Sequence, residues 1–439
     1  MDSDSLFDLL SFMNPWWATK AVPKELAGWP RQGYELLIKS VYEREVTVIT
    51  GVRRAGKSTL MYQTIAKLLA EGVTCEQVLF VNFDDLRLEA GLDEIYKAYR
   101  EKANPKKKAF VFFDEVHKQP GWESWVRTRY DQKNDVKVTV SGSCSYLLAK
   151  EFSTLLTGRN LSFAVYPFGF SEYSAFKGIT FESKNMKALA VSEKDAFQAV
   201  NTMESFLSQG GFPEPLAKTE TFRQLLLSQY FEDLVQKDVV DRFGVNSVKA
   251  KALAQHFLAT PGALVSLRKI RAATGLSYDT TKDYLSHFQD AFLFFLLEHF
   301  SYSFSERKSR PCRVYCIDNG LRNAVSFKFS KDEGKLAENA VLVELLRRKK
   351  DAYYWKNENC EVDFIVKETD GTLLAINVCY SDEIPKRETE GLLEFEAMFR
   401  KNKPTLLLLT RNSRKKIGNI QAVPLWQWIT SEATTRTHG

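Results

Sequence analysis

The stretch Gly51-Val52-Arg53-Arg54-Ala55-Gly56-Lys57-Ser58 constrains this chain more than any other. It meets the spacing G-x-x-x-x-G-K-[ST] at every fixed position. An apolar run, Glu45 to Thr50, precedes it, and residues with helical spacing, Ser58 to Ala70, follow. Strand, glycine-framed loop and helix in that order form a phosphate cradle. The glycines let the backbone curl, its amides converge, and the helix N-terminus favours negative charge. Lys57 is then placed to reach the β- and γ-phosphates and Ser58 to ligate magnesium. The nucleotide-binding set is Gly51, Val52, Arg53, Arg54, Ala55, Gly56, Lys57, Ser58 and Thr59, and the expected cofactors are ATP and Mg2+.

The runs Gln77–Asn82, Ala109–Phe113 and Val136–Val140 read as three further strands separated by helical segments. Continuous apolar strands alternating with helices predict a parallel sheet covered on both faces. Asp114-Glu115 closes the run AFVFF, a Walker B arrangement. Asp114 is expected to hold magnesium, directly or through water, and Glu115 to orient and deprotonate the attacking water. Phosphoryl transfer is mostly positioning and charge stabilisation, so one extra carboxylate beside the metal suffices. Ser141-Gly142-Ser143 follows the fourth strand, where a polar side chain can sense the γ-phosphate; Ser143 is favoured over Ser141. Arg159 in Thr157-Gly158-Arg159 is the candidate arginine finger, with Arg127 and Arg129 as competitors.

Four segments follow from the pattern: an N-terminal arm (1–30), a nucleotide-binding core (31–180), a helical module (181–330) and a small C-terminal α/β domain (331–439). A chain of 439 residues accommodates them, and 44% hydrophobic with 26% charged residues is ordinary for a globular protein. The net charge of +6 is compatible with nucleic acid without requiring it. The six scattered cysteines form no zinc or disulfide pattern and read as reduced thiols. No signal peptide or spanning segment is legible, so a cytoplasmic location away from membranes is expected. The arm carries Asn14-Pro15-Trp16-Trp17, whose indoles are expected to pack on a neighbouring domain rather than stack on bases.

The succession NPWW, GVRRAGKSTL, FFDEVHKQPGW, TVSGSCS, LLTGR, YPFGFSEY and GGFPEP resembles the prokaryotic AAA+-type ATPases with a C-terminal domain comparable to PD-(D/E)XK nucleases. The likeness runs from about residue 14 to residue 428. It implies a P-loop NTPase core of AAA+ type, a winged helix and a restriction-endonuclease-like domain. It also implies a homo-oligomer, with a hexameric ring as one form, in which Arg159 acts on a neighbouring site. Members of the family are linked to DNA transactions, including Holliday-junction processing, and others act as switches in defence or signalling.

Leu267–Thr274, Gly275-Leu276-Ser277 and Tyr278–Gln289 read as helix–turn–helix. The second helix holds Asp279, Lys282 and Asp283, a poor set for reading base edges. The basic run Arg307–Arg313 reads either as a wing on phosphate or as a solvated loop. Arg347-Arg348-Lys349-Lys350 reads as phosphate contact or as cations capping a helix end. In the last domain Asp363 fits the first acid of a nuclease site, and Glu338 or Glu344 the helical acid. The second strand carries Asn377 and Cys379 where an acid and a lysine are required, so a nuclease fold without nuclease activity is expected. The leading expectation is an ATPase that couples turnover to DNA. The alternative is a nucleotide-controlled switch in defence or signalling with a protein partner, and an active nuclease ranks third.

Overall fold

The structure, a computed structural model, describes residues 2–104, 106–132, 135–143, 158–180, 193–326 and 332–431. It divides into two compact units. The first comprises residues 1–166 with 290–292, and the second comprises 167–289 with 293–439.

The first unit is built on five parallel strands: β1 (Val46–Thr50), β2 (Val78–Asn82), β3 (Ala109–Asp114), β4 (Val136–Gly142) and β5 (Asn160–Ala164). Their order is β2-β3-β4-β1-β5. The parallel sheet matches the sequence expectation; β5 is an addition. Its residues Asn-Leu-Ser-Phe-Ala lack a continuous apolar run, and the strand is only half-buried at the sheet edge. By contrast β1 is buried at every residue, as a central parallel strand must be. One core packs Val48, Leu79, Val111, Phe113 and Val140 of the sheet against the helices Leu92–Lys102 and Trp122–Asp131.

The N-terminal arm belongs to this unit. Leu6, Leu9, Leu10 and Met13 of the helix Ser3–Met13 enter the same core. The Asn14 side chain donates to the Phe80 carbonyl at 2.8 Å and accepts from the Phe80 N–H at 2.6 Å. The indole N–H groups of Trp16 and Trp17 both donate to the Val78 carbonyl. The paired tryptophans are therefore spent on the five-stranded sheet of their own unit.

In the second unit, six strands stand in the order β12-β13-β11-β10-β9-β8. They are β8 (Ala352–Lys356), β9 (Glu361–Lys367), β10 (Leu373–Cys379), β11 (Thr405–Thr410), β12 (Lys415–Ile417) and β13 (Ile420–Pro424). The sheet is mixed: β10, β11 and β13 are parallel, and β8, β9 and β12 pair antiparallel to their neighbours. A three-helix segment precedes it (Ser247–Ala259, Leu267–Thr274, Tyr278–Asp290), followed by the antiparallel hairpin β6 (Phe294–Leu297) and β7 (Arg313–Cys316). The expected helix–turn–helix is present, with Gly275 at φ +69° closing its first helix. One core joins Met203 and Leu207 of the helix Glu193–Gln209 to Phe364, Ile376 and Leu409 of the sheet.

The motifs YPFGFSEY and GGFPEP meet inside this unit. The Phe168 N–H donates to the Gly211 carbonyl at 2.7 Å, and Gly211 donates to Asp318 at 2.6 Å. A Cβ on Gly211 would lie 2.2 Å from the Phe168 oxygen, so only glycine fits. Among the described residues no helix is long and apolar enough to cross a membrane. Cys75, Cys312, Cys316, Cys360 and Cys379 are free thiols.

Candidate nucleotide site

The strand order places the site. Because β4 lies between β1 and β3, its last residues, Ser141 and Gly142, stand between the strand ends that carry the phosphate loop and the Walker B carboxylates. The loop from Gly51 to Gly56 has the strain such a cradle needs. Gly51 has φ +138°, and a Cβ there would meet the Val165 carbonyl oxygen at 2.1 Å. Arg54 and Gly56 also have positive φ, at 69° and 95°. The helix Lys57–Ala70 starts directly on this turn.

Lys57 is buried at 5% exposure. Its ammonium donates to the carbonyls of Gly51 and Val52 at 3.1 and 3.3 Å and lies 3.5 Å from Glu115 Oε1. Ser58 Oγ donates to Asp114 Oδ2 at 2.5 Å. The other Asp114 oxygen accepts from the Ser141 hydroxyl. Ser141 Oγ also accepts the Glu115 N–H at 3.0 Å, which fixes Glu115 at φ +51°. The backbone N–H of Ser143 donates to Glu115 Oε2 at 3.1 Å. Thus both serines at the end of β4 touch the acidic pair: Ser141, within the strand, through its hydroxyl, and Ser143, just past it, through its amide.

The two carboxyls are tuned in opposite directions. Burial, and then the neighbouring Glu115 charge, raise the Asp114 pKa above the ordinary value. Burial also opposes the Glu115 anion, but Lys57, His117 and Arg53 outweigh it and hold its pKa low. A buried carboxyl that resists ionisation beside a serine hydroxyl is a hard oxygen pair short of positive charge. Those donors suit Mg2+, which takes one or two protein oxygens and completes its shell from water and phosphate.

Three participants were not singled out in the sequence. Arg31 donates to the Ala55 carbonyl at 2.6 Å and to the Tyr166 carbonyl at 2.8 Å, bracing the phosphate loop from the segment just after the N-terminal arm. His117 Nδ1 lies 3.5 Å from Glu115 Oε2. Asp84, just past β2, pairs with Lys118 and lies 3.9 Å from Arg53. Only the sequence position of His117, two residues beyond Glu115, marked it as a neighbour.

Arg159 lies elsewhere. Its carbonyl accepts the Val46 N–H at 2.9 Å, which puts it at the start of β5 and at the sheet end opposite the loop after Thr50. At about 3.3 Å per strand residue the separation along the sheet is roughly 15 Å. Its guanidinium pairs with Asp131 at 3.2 Å. It does not reach the phosphate loop of its own chain. Arg127 and Arg129 are engaged by Asp131 and Asp93. Thr157, the first residue of that motif, lies outside the described residues.

The basic runs are also spent internally. Arg347 donates to the Pro167 carbonyl at 2.8 Å, Arg348 to Glu344 and the carbonyls of Trp428 and Ile429, and Lys350 pairs with Glu368. Lys308 pairs with Glu298, and Arg313 is buried among acids. The reading of Arg307–Arg313 as a wing on phosphate is therefore corrected for Arg313, which is buried with its charge met by acids.

A phosphate loop on a central parallel strand, with a serine–aspartate pair and a second acid beside it, defines a P-loop ATPase. Residues 43–174 match the AAA domain family, and residues 200–332 and 333–428 match two domains of unknown function, DUF8612 and DUF4143. An uncharacterized protein of Methanocaldococcus jannaschii is 30% identical over 406 residues, covering 88% of both chains. One of Haemophilus influenzae is 28% identical over 400 residues, covering 88% of this chain and 94% of that one. Among solved structures, a Walker-type ATPase of Pyrococcus abyssi aligns with a TM-score of 0.45 at 14% identity, over 70% of this chain and 97% of that chain. The chain belongs to the AAA-type P-loop ATPases, with C-terminal domains of unknown function.

Proposed function

We propose that the chain hydrolyses ATP with Mg2+ and couples turnover to the engagement of DNA, branched forms included, as a homo-oligomer. The observation that carries the reading is the convergence of Lys57, Ser58, Asp114 and Glu115 at one end of the sheet. Lys57 leaves the loop carbonyls to meet the β- and γ-phosphates. Ser58 and Asp114 hold Mg2+, which supplies charge neutralisation at those phosphates when bound. Glu115, kept ionised by its cationic neighbours, is suited to accept a proton from the attacking water. Ser143 holds Glu115 in place through its amide, and Arg159 serves the site of a neighbouring chain.

Support for DNA comes from the helix–turn–helix. Arg268, Lys269 and Arg271 of its first helix are exposed, and none has an ion-pair partner among the described residues. Its second helix exposes Asp279 and Asp283. That distribution favours sequence-independent contact with phosphate over base readout. The acidic second helix also favours the other reading, a nucleotide-controlled switch whose helical module meets a protein.

The deciding measurement is ATP hydrolysis alone and with duplex, single-stranded and four-way-junction DNA, with Glu115→Gln as control. Stimulation of several-fold by one DNA form, absent in that variant, supports the DNA reading and names the substrate. A flat response with retained hydrolysis moves the assignment to the switch.

A further inference from the structure

The second unit contains a buried ionic cluster that the ATPase reading leaves unused. Its centre is Arg313 on β7, 5% exposed. Nη1 contacts Glu338 Oε1 at 3.1 Å and Asp363 Oδ1 at 3.2 Å, while Nη2 contacts Glu361 Oε2 at 3.1 Å. The guanidinium lies 5.1 Å from the Tyr354 ring centre. The Tyr315 hydroxyl donates to the same Glu338 oxygen. The acids come from the helix Glu333–Arg347 and from β9, and they include the Asp363 and Glu338 that a metal-dependent nuclease would use.

The residues present do not fit a metal centre. One guanidinium nitrogen already holds an oxygen of both Glu338 and Asp363, and the second Asp363 oxygen accepts the Val378 N–H at 3.0 Å. Asn377 accepts the Asp363 N–H and donates to the Glu388 carbonyl, so its amide is committed to the backbone. The Cys379 thiol faces the Glu383 carbonyl at 3.6 Å. Among the described residues no three His, Cys, Asp or Glu side chains gather closely enough to hold an ion. The charges balance without one. Lys356 pairs with Glu361 at 2.9 Å, giving two cations for three carboxyls. Burial, then the charge of Asp363, raise the Glu338 pKa to about 8, which leaves the third carboxyl protonated near neutrality.

We propose that this pocket is a divalent-cation site filled from within. Arg313 supplies the positive charge that a metal would bring, closes the pocket to metal, and fastens the β6–β7 hairpin to the six-stranded sheet. A nuclease-like domain is thereby converted into a structural joint. The inference is independent of whether DNA is the partner of the ATPase.

The test uses Mn2+ as probe on the nucleotide-free full chain, by calorimetry or electron paramagnetic resonance. Each protein is compared with its Asp363→Asn counterpart, so that binding at the phosphate loop cancels. Wild type and Asp363→Asn should bind Mn2+ alike. Arg313→Ser should gain one site, at least roughly tenfold tighter than any wild-type binding, that disappears when Asp363→Asn is added. Wild-type binding that is lost in Asp363→Asn overturns the proposal, as does a folded Arg313→Ser with no gain. If Arg313→Ser does not fold, melting curves of wild type and Asp363→Asn decide. Asp363→Asn should melt several degrees lower in both EDTA and Mn2+. A wild-type stabilisation by Mn2+ that Asp363→Asn abolishes refutes the internal cation.

Discussion

Lys57 in the first unit and Arg313 in the second are both buried cations beside carboxyl groups, and the two clusters are built for opposite ends. Lys57 in the first unit contacts two loop carbonyls and stands 3.5 Å from Glu115. Its ammonium is a point charge on a flexible stem, and every one of those contacts can be exchanged for a phosphate oxygen. Arg313 in the second unit grips three carboxyl groups with a planar fork and lies 5.1 Å from the centre of a tyrosine ring. No single ligand replaces three directed bonds at once. Equal burial therefore says little about role. The number of directed bonds, and the ease of trading them, separates a site that opens from a joint that stays shut.

The largest effect should come from the cluster built to open. Glu115→Gln should lower kcat by about 10²–10⁴-fold, the usual contribution of a positioned base, while ATP still binds. Steady-state turnover against equilibrium nucleotide binding separates the two. An unchanged kcat would remove Glu115 from the chemistry.

The closed cluster should answer in stability instead. Arg313→Met strands buried carboxyls and should destabilise the chain by about 3–5 kcal/mol. Lys57→Met in nucleotide-free protein should cost less than Arg313→Met, since two of its three contacts are to neutral carbonyls and only one carboxylate is left without it, yet abolish nucleotide binding. Paired denaturant titrations test this contrast; equal losses would erase it.

The next effect is a pH slope. The folded pKa of Glu338, about 8, exceeds its ordinary 4.5. Between those values the native chain keeps a proton that the unfolded chain releases, so stability falls as pH rises through this window and levels off above it. Glu338→Gln should flatten that slope, measured as unfolding midpoints across the window. A slope unchanged in the variant would place its origin elsewhere.

The smallest effect belongs to the surface. Replacing Arg268, Lys269 and Arg271 together by Ala should change stability by no more than about 0.5 kcal/mol per position. It should nevertheless weaken DNA binding and reduce its dependence on salt, because each cation lost is one fewer phosphate neutralised. Binding isotherms at several salt concentrations read both.

The first cluster was legible in the sequence and the second was not, and chain distance is the reason. Gly51 to Ser58 is contiguous, and Asp114-Glu115 ends an unmistakable apolar strand, so local spacing announced both. The partners of Arg313 lie 25, 48 and 50 residues away. Nothing local distinguishes that arginine from Lys308 in the same basic run. Arg31 escaped notice likewise, because its task is to hold backbone carbonyls, which leave no mark on sequence. Strand β8 and the hairpin β6–β7 also went unread. Tyr-Tyr-Trp in β8 and Phe-Phe-Leu-Leu in β6 are short runs without alternation, and pairing, not pattern, makes them strands. The absence of an acid and a lysine at Asn377 and Cys379 was visible from the start. What filled the gap was visible only in three dimensions.

The bonds from Asn14, Trp16 and Trp17 to β2 have a consequence for how the chain avoids clumping. β2 is an outer strand of its sheet, and an uncovered outer strand is a template on which another molecule can lay a strand of its own. The Asn14 amide answers the Phe80 N–H and carbonyl as a neighbouring strand would, and two indoles occupy the Val78 carbonyl. The arm thus works as an end-stop against sheet growth between molecules. Because it precedes β2 in the chain, it leaves the ribosome before the strand it guards, and the vulnerable edge never waits for its cover.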